Sequence, residues 1–140
     1  MHLTTTLLVA LSGLIHLTAA SGGFTSNCIE HYLYTDCAHL VARCPDNQGQ
    51  IRSSKLDLNQ CFKNNNGRLE PADHGDAFGY RCEPKGTGPG CEECSVENGK
   101  IKCWCKRKDG QVQLTVGDLN AVVSNNNGFL ECYGHPSIYV

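Results

Sequence analysis

The chain has 140 residues, a net charge of −2 and ten cysteines. That length suits one domain, and the near-neutral balance excludes a general electrostatic attraction to nucleic acid or anionic membrane.

Residues Met1 to Ala20 read as a secretory signal peptide, apolar from Leu3 to Leu17 and closing on Thr18-Ala19-Ala20, which sets small residues at the cleavage positions. Its n-region is only Met1-His2, without Lys or Arg. The apolar run is too short for a membrane anchor, and no later stretch is long enough to insert in a bilayer. A single mature domain of residues 21–140 is therefore expected, secreted and extracellular. All ten cysteines lie within it, and an even count in an exported chain implies disulfides worth roughly 2–4 kcal/mol each. There is no Asn-x-Ser/Thr sequon.

Leu40-Val41-Ala42-Arg43-Cys44 and Leu56-Asp57-Leu58 alternate in the manner of half-buried strands. Asp57 stands where its side chain can cap one helical turn running to Phe62. The run Asn64-Asn65-Asn66-Gly67 then predicts a hairpin turn, because Asn and Gly tolerate positive φ. Cys94 to Cys103 is a hairpin centred on Asn98-Gly99, a type I′ turn. Counting outward, Glu97 faces Lys100, Val96 faces Ile101, Ser95 faces Lys102 and Cys94 faces Cys103, close enough at a non-hydrogen-bonded pair for a disulfide. Lys100, Lys102, Lys106, Arg107 and Lys108 read as a solvated strand edge that discourages aggregation, or else as a landing place for a phosphorylated or sulfated ligand. Asp118 repeats the cap, with a turn through Val123, and Asn125-Asn126-Asn127-Gly128 repeats the hairpin.

Cys91-x-x-Cys94 with Cys103-x-Cys105 has the spacing of a zinc site, but an oxidising compartment captures such thiols as disulfides, so no metal is expected. His31, His39, His74 and His135 share no motif with a nucleophile, the acidic residues are scattered, and no Gly-rich phosphate loop follows a strand. Neither catalysis nor a cofactor is expected.

The ordering principle is an internal repeat. Cys44 through Glu70 aligns without a gap to Cys105 through Glu131, with identities at Cys44/Cys105, Gly49/Gly110, Gln50/Gln111, Asp57/Asp118, Leu58/Leu119, Asn59/Asn120, both asparagine triplets, Gly67/Gly128, Leu69/Leu130 and Glu70/Glu131. Upstream, Phe24 to Cys28 matches Phe78 to Cys82, although about eight extra residues then separate Cys82 from Cys105. The repeats span about 24–71 and 78–133.

The ordered series Phe-x-x-x-Cys, Leu-x-Ala-x-Cys (Leu40 to Cys44), Asp-Leu-Asn and Asn-x-Asn-Gly-x-Leu, in tandem, resembles the cyanovirin-N homology family in its fungal secreted form. The resemblance implies an all-β, pseudo-symmetric, disulfide-rich fold with short helical turns, each half joining a three-stranded sheet from one repeat to a hairpin from the other. It implies bridges Cys28–Cys44 and Cys82–Cys105, although Cys91 has an equally suitable spacing to Cys105; Cys37, Cys61 and Cys132 stay unassigned. It also implies a lectin for mannose-containing oligosaccharides or glycoproteins ending in α1-2-linked mannose, using two shallow pockets. The first would use Ser26, Asn27, Asp46, Asn47, Asn125 and Asn127, with Pro45 replacing a common hydrogen-bonding residue. The second would use Asn64, Asn66, Asp76, Arg81, Lys106, Arg107 and Lys108, where Arg81 and the basic run depart from the family. A monomer is expected, with chain exchange through the Pro71 to Ala77 junction as a route to a dimer. The other reading is a cysteine-rich secreted interaction or effector protein that keeps the fold without binding sugar.

Overall fold

A computed structural model of the protein describes residues 22–79 and 82–140; the expected signal peptide and Arg81 lie outside them. The first repeat forms β1 (Glu30–Leu33), β2 (His39–Pro45), β3 (Ile51–Asp57), β4 (Phe62–Asn65) and β5 (Arg68–Pro71). The second forms β6 (Cys91–Glu97), β7 (Lys100–Lys106), β8 (Val112–Asp118), β9 (Ser124–Asn126) and β10 (Phe129–Cys132), followed by the short β11 (His135–Pro136) and β12 (Ile138–Tyr139). The described residues contain no α-helix, and no helix long and apolar enough to cross a membrane.

Strands β1, β2 and β3 make an antiparallel meander that β12 extends along the β3 edge, and β6, β7 and β8 make its counterpart. The hairpins are exchanged: β5 lies against β8 and β7, whereas β10 lies against β3 and β2. Alternation explains the sheets, since Leu40, Ala42 and Cys44 face inward opposite Leu56 and Ser54, while Ile101, Cys103 and Cys105 do the same on β7. One continuous core results, including Phe24, Leu40, Leu56, Phe62, Ile101, Leu119 and Leu130.

A hairpin laid on a sheet brings backbone N–H groups with no ladder partner into the interior, where each must find an acceptor. Leu130 N–H donates to Ser54 Oγ at 3.0 Å, and Leu69 N–H donates to Thr115 Oγ1 at 3.1 Å. Ser54 and Thr115 are equivalent positions in the repeat alignment, so a hydroxyl does the same work twice.

The three tight turns have left-handed Asn-Gly pairs: Asn66 and Gly67 at φ 50° and 91°, Asn98 and Gly99 at 50° and 76°, Asn127 and Gly128 at 53° and 94°. The Asp57 and Asp118 carboxylates accept from Asn59 N and Asn120 N at 2.9 and 3.0 Å, but the turns they cap are 3-10, Leu58–Gln60 and Leu119–Ala121, and stop short of Phe62 and Val123. Strand pairing ends the first of them, because Phe62 already faces Pro71 across β4 and β5. Lys100 and Lys102 are exposed, yet β7 is paired on both sides and is not a sheet edge; these lysines lie on a solvated face.

All ten cysteines are bridged. Cys28–Cys44 and Cys91–Cys105 each close a first strand onto the second of its meander, and Cys94–Cys103 sits beside a break in the β6–β7 ladder at left-handed Glu93. The family pairing Cys82–Cys105 is not formed. Cys91 faces Cys105 across the ladder with Cα atoms 4.0 Å apart, whereas Cys82 joins Cys37. The upstream alignment shifts accordingly. Gly23 N, Phe24 N and Thr25 N donate to Asn120 O, Val123 O and Asn120 Oδ1; Asp76 N, Ala77 N and Phe78 N donate to Asn59 O, Phe62 O and Asn59 Oδ1. Ala77 thus occupies the place of Phe24 and Cys91 that of Cys28, so residues 79–90 stand where the first repeat has only Ser26 and Asn27.

The fifth bridge, Cys61–Cys132, ties the repeats together across 71 positions. Replacing both cysteines by alanine is expected to cost about 4 kcal/mol by loop entropy, read as a lowered denaturant midpoint; an unchanged midpoint would show that packing and the Cys37–Cys82 bridge suffice to unite the halves.

Candidate functional site: two hairpin–turn junctions

Each exchanged hairpin meets the turn between the second and third strands of the other repeat. At the first junction, Asn125 Nδ2 donates to Pro45 O at 3.0 Å, Gly128 N donates to Asn125 Oδ1 at 2.8 Å, and Asn47 N donates to Asn127 Oδ1 at 2.7 Å. The second reproduces all three: Asn64 Nδ2 to Lys106 O at 2.8 Å, Gly67 N to Asn64 Oδ1 at 2.8 Å, and Lys108 N to Asn66 Oδ1 at 2.8 Å. One asparagine in each hairpin therefore caps its own turn and holds the partner turn with opposite ends of its amide. The following glycine is equally constrained, since a Cβ on Gly128 would lie 2.7 Å from Arg52 Cγ and one on Gly67 2.5 Å from Arg107 Cγ.

The junctions differ in charge. Asp46, 8% exposed, accepts from Gln48 N, Gln50 N and Arg52 Nε at 2.8–2.9 Å. Burial works to raise its carboxyl, but the Gln50 amide, the Arg52 guanidinium and the Gln48 amide outweigh that and hold it below the ordinary 3.8. Arg52 also donates to Tyr139 Oη at 3.4 Å. In the second junction the equivalents are Arg107, paired outward with Asp109 at 2.7 Å, and Gln113, which donates to Gly67 O. The first junction thus has a neutralised floor and the second a basic rim.

Asp46 and Asn125 are committed to structure, whereas Asn47 and Asn127, joined to each other by the Asn47 N bond to Asn127 Oδ1, are exposed at the surface of the first junction. Ser26 and Asn27 are exposed just before Cys28, whose bridge to Cys44 ties their segment to the strand ending at Pro45. At the second junction Asn64, Asn66, Lys106, Arg107 and Lys108 line one cavity of about 430 Å³. Asp76 lines a neighbouring cavity of about 370 Å³ with Glu83 and Glu92, and Gly88 and Pro89 border both. Sequence reasoning missed Thr87, Gly88 and Pro89, although the excess spacing before Cys105 was the signal for them. It also missed the C-terminal residues: Ile138 and Tyr139 join Asn127 and Phe129 around a cavity of about 400 Å³ beside the first junction.

Asn125→Ala and Asn64→Ala each remove two interior hydrogen bonds, and each is expected to cost about 1–3 kcal/mol in urea unfolding. Asn126→Ala, which loses only an exposed bond to Glu131, should stay within about 0.5 kcal/mol of the parent. The depressed Asp46 carboxyl contributes stability that is present above its unfolded value near 3.8 and lost as pH falls through the lower folded value. Asp46→Asn should therefore be less stable than the parent at neutral pH, with the gap narrowing below about pH 4; a gap independent of pH would exclude this linkage.

The CVNH domain model matches residues 24–131. Among solved structures, TbCVNH of T. borchii is 25% identical at a TM-score of 0.58, with 79% of this chain and 98% of that one covered. Microvirin in a mannobiose complex is 23% identical at 0.59, with the same coverages. A MoCVNH3 variant in complex with (N-GlcNAc)4 is 15% identical at 0.62, covering 81% of this chain and 98% of the other. A search of curated proteins returns no match. Family model, exchanged hairpins and tandem repeat agree, and the chain belongs to the CVNH domain family.

Proposed function

We propose that the protein is a secreted lectin for mannose-rich glycans, released by cleavage after Ala20 and acting as a monomer without metal at its sugar sites. The observation that carries this reading is the threefold hydrogen-bond pattern shared by the two junctions. A sugar hydroxyl both donates and accepts, so discrimination requires polar groups fixed in advance. Each junction supplies them on an asparagine turn that is already ordered, which lowers the entropy lost on binding. The mannobiose complex of microvirin supports the substrate class, and the (N-GlcNAc)4 complex of the MoCVNH3 variant makes chito-oligosaccharide the natural competitor. The first junction is the stronger candidate for neutral mannose, because its one buried charge is already paired.

Isotope-labelled protein titrated with α1-2 dimannoside is expected to show saturating amide shifts at Asn47, Gln48 and Asn127. Asn127→Ala should weaken binding about tenfold, the worth of one hydrogen bond. Shifts only with chitotetraose would reassign the sugar, and no shift with either would leave the fold serving protein interaction instead.

A further inference from the structure

Away from both junctions, Asp73, His74 and His135 converge, with one ligand atom from each lying within 4.8 Å of the others. His135 Nε2 is 2.6 Å from Asp73 Oδ1, His74 Nε2 is 3.8 Å from the same oxygen, and the imidazole centroids are 4.3 Å apart. Asp73 and His74 lie in the junction that follows the first repeat and His135 just past the end of the second, on a fixed frame. Ala72 N donates to Cys61 O and His74 N to Gln60 O, which seats the turn after β5. His135 opens β11 opposite Cys132, and the Cys61–Cys132 bridge joins the two sides.

Two imidazoles and one carboxylate form a donor set for zinc and neighbouring late first-row cations, with a fourth position open to water. Magnesium and calcium prefer all-oxygen sites and do not fit. Tetrahedral coordination at zinc bond lengths spaces ligand atoms about 3.3 Å apart, between the shortest and longest separations here. His74 and Asp73 are 65% and 54% exposed, so they are free to close on an ion while half-buried His135 stays put. With every cysteine consumed in a disulfide, imidazole is the borderline donor left to this chain, with carboxylate as a harder companion.

We propose that Asp73, His74 and His135 form a Zn²⁺-binding site that joins the segment following the first repeat to the segment following the second. The bridging ion replaces the His135–Asp73 hydrogen bond and adds a second clamp beside the disulfide. The test is ZnCl2 titration of the chelator-treated full chain at neutral pH, by calorimetry and by imidazole ¹⁵N spectra. Expected are one-to-one saturable binding, shifts at His74 and His135 but not at His31 or His39, and no comparable binding of MgCl2. His74→Asn keeps a residue that tolerates the left-handed backbone at this position (φ 55°), and it should weaken zinc roughly tenfold or more, as should Asp73→Asn. Both changes are on exposed residues, so the proposal does not depend on whether His135→Ala folds. Absence of saturation at millimolar zinc, equal shifts at His31, His39, His74 and His135, or an affinity within about threefold of the parent in both variants would reduce the cluster to an Asp73–His135 ion pair.

Discussion

A two-stranded hairpin has too little buried surface to persist alone in water, and the architecture rests on how two such hairpins are given a place to dock. Each is donated to the sheet of the other repeat, and a single asparagine amide secures it by capping the turn with its oxygen and gripping the opposite turn with its nitrogen. The Ser54 and Thr115 hydroxyls then receive the amides that docking buries. Neither repeat is complete without the other, so the two form one core.

On this near-symmetric frame the surfaces have diverged. At one end Asp46 is enclosed by two backbone amides and Arg52, and charge is cancelled inside the protein. At the other the same place is held by Arg107, which turns outward to Asp109, with Lys106 and Lys108 beside it. The hydrogen-bonded frame is thus shared in geometry while the chemistry it displays is not. An equal pair of hydrogen-bonded turns can carry a neutral patch and a cationic one because the turn bonds use backbone and asparagine groups only.

Much of the fold was legible because repetition fixes relationships that local propensity cannot. The Asn-Gly turns, the Asp57 and Asp118 caps and the Asn98-Gly99 hairpin follow from local chemistry, and the exchanged hairpins follow from family resemblance. The Cys82–Cys105 pairing failed for a specific reason. A Phe and a Cys at matching spacing recur at Phe78 and Cys82, but backbone hydrogen bonding places Ala77, not Phe78, in the position of Phe24. Aromatic identity misled where only register decides. Within the junctions, the sequence located the residues without separating Asn125, a structural clamp, from Asn127, an exposed group. That distinction depends on which way each amide points.

The segment 79–90 has a bridge at each flank, Cys37–Cys82 near its start and Cys91–Cys105 just after its end. Its Gly88 and Pro89 border two neighbouring cavities. Its last residues belong to the frame, since Lys106 N donates to Gly90 O and a Cβ on Gly90 would lie 2.5 Å from Ala77 O, whereas a Cβ on Gly86 would meet nothing closer than 3.9 Å. Evolution, or an engineer, has room for new side chains around Gly86 and little at Gly88 and Gly90, where the backbone is pressed against its neighbours.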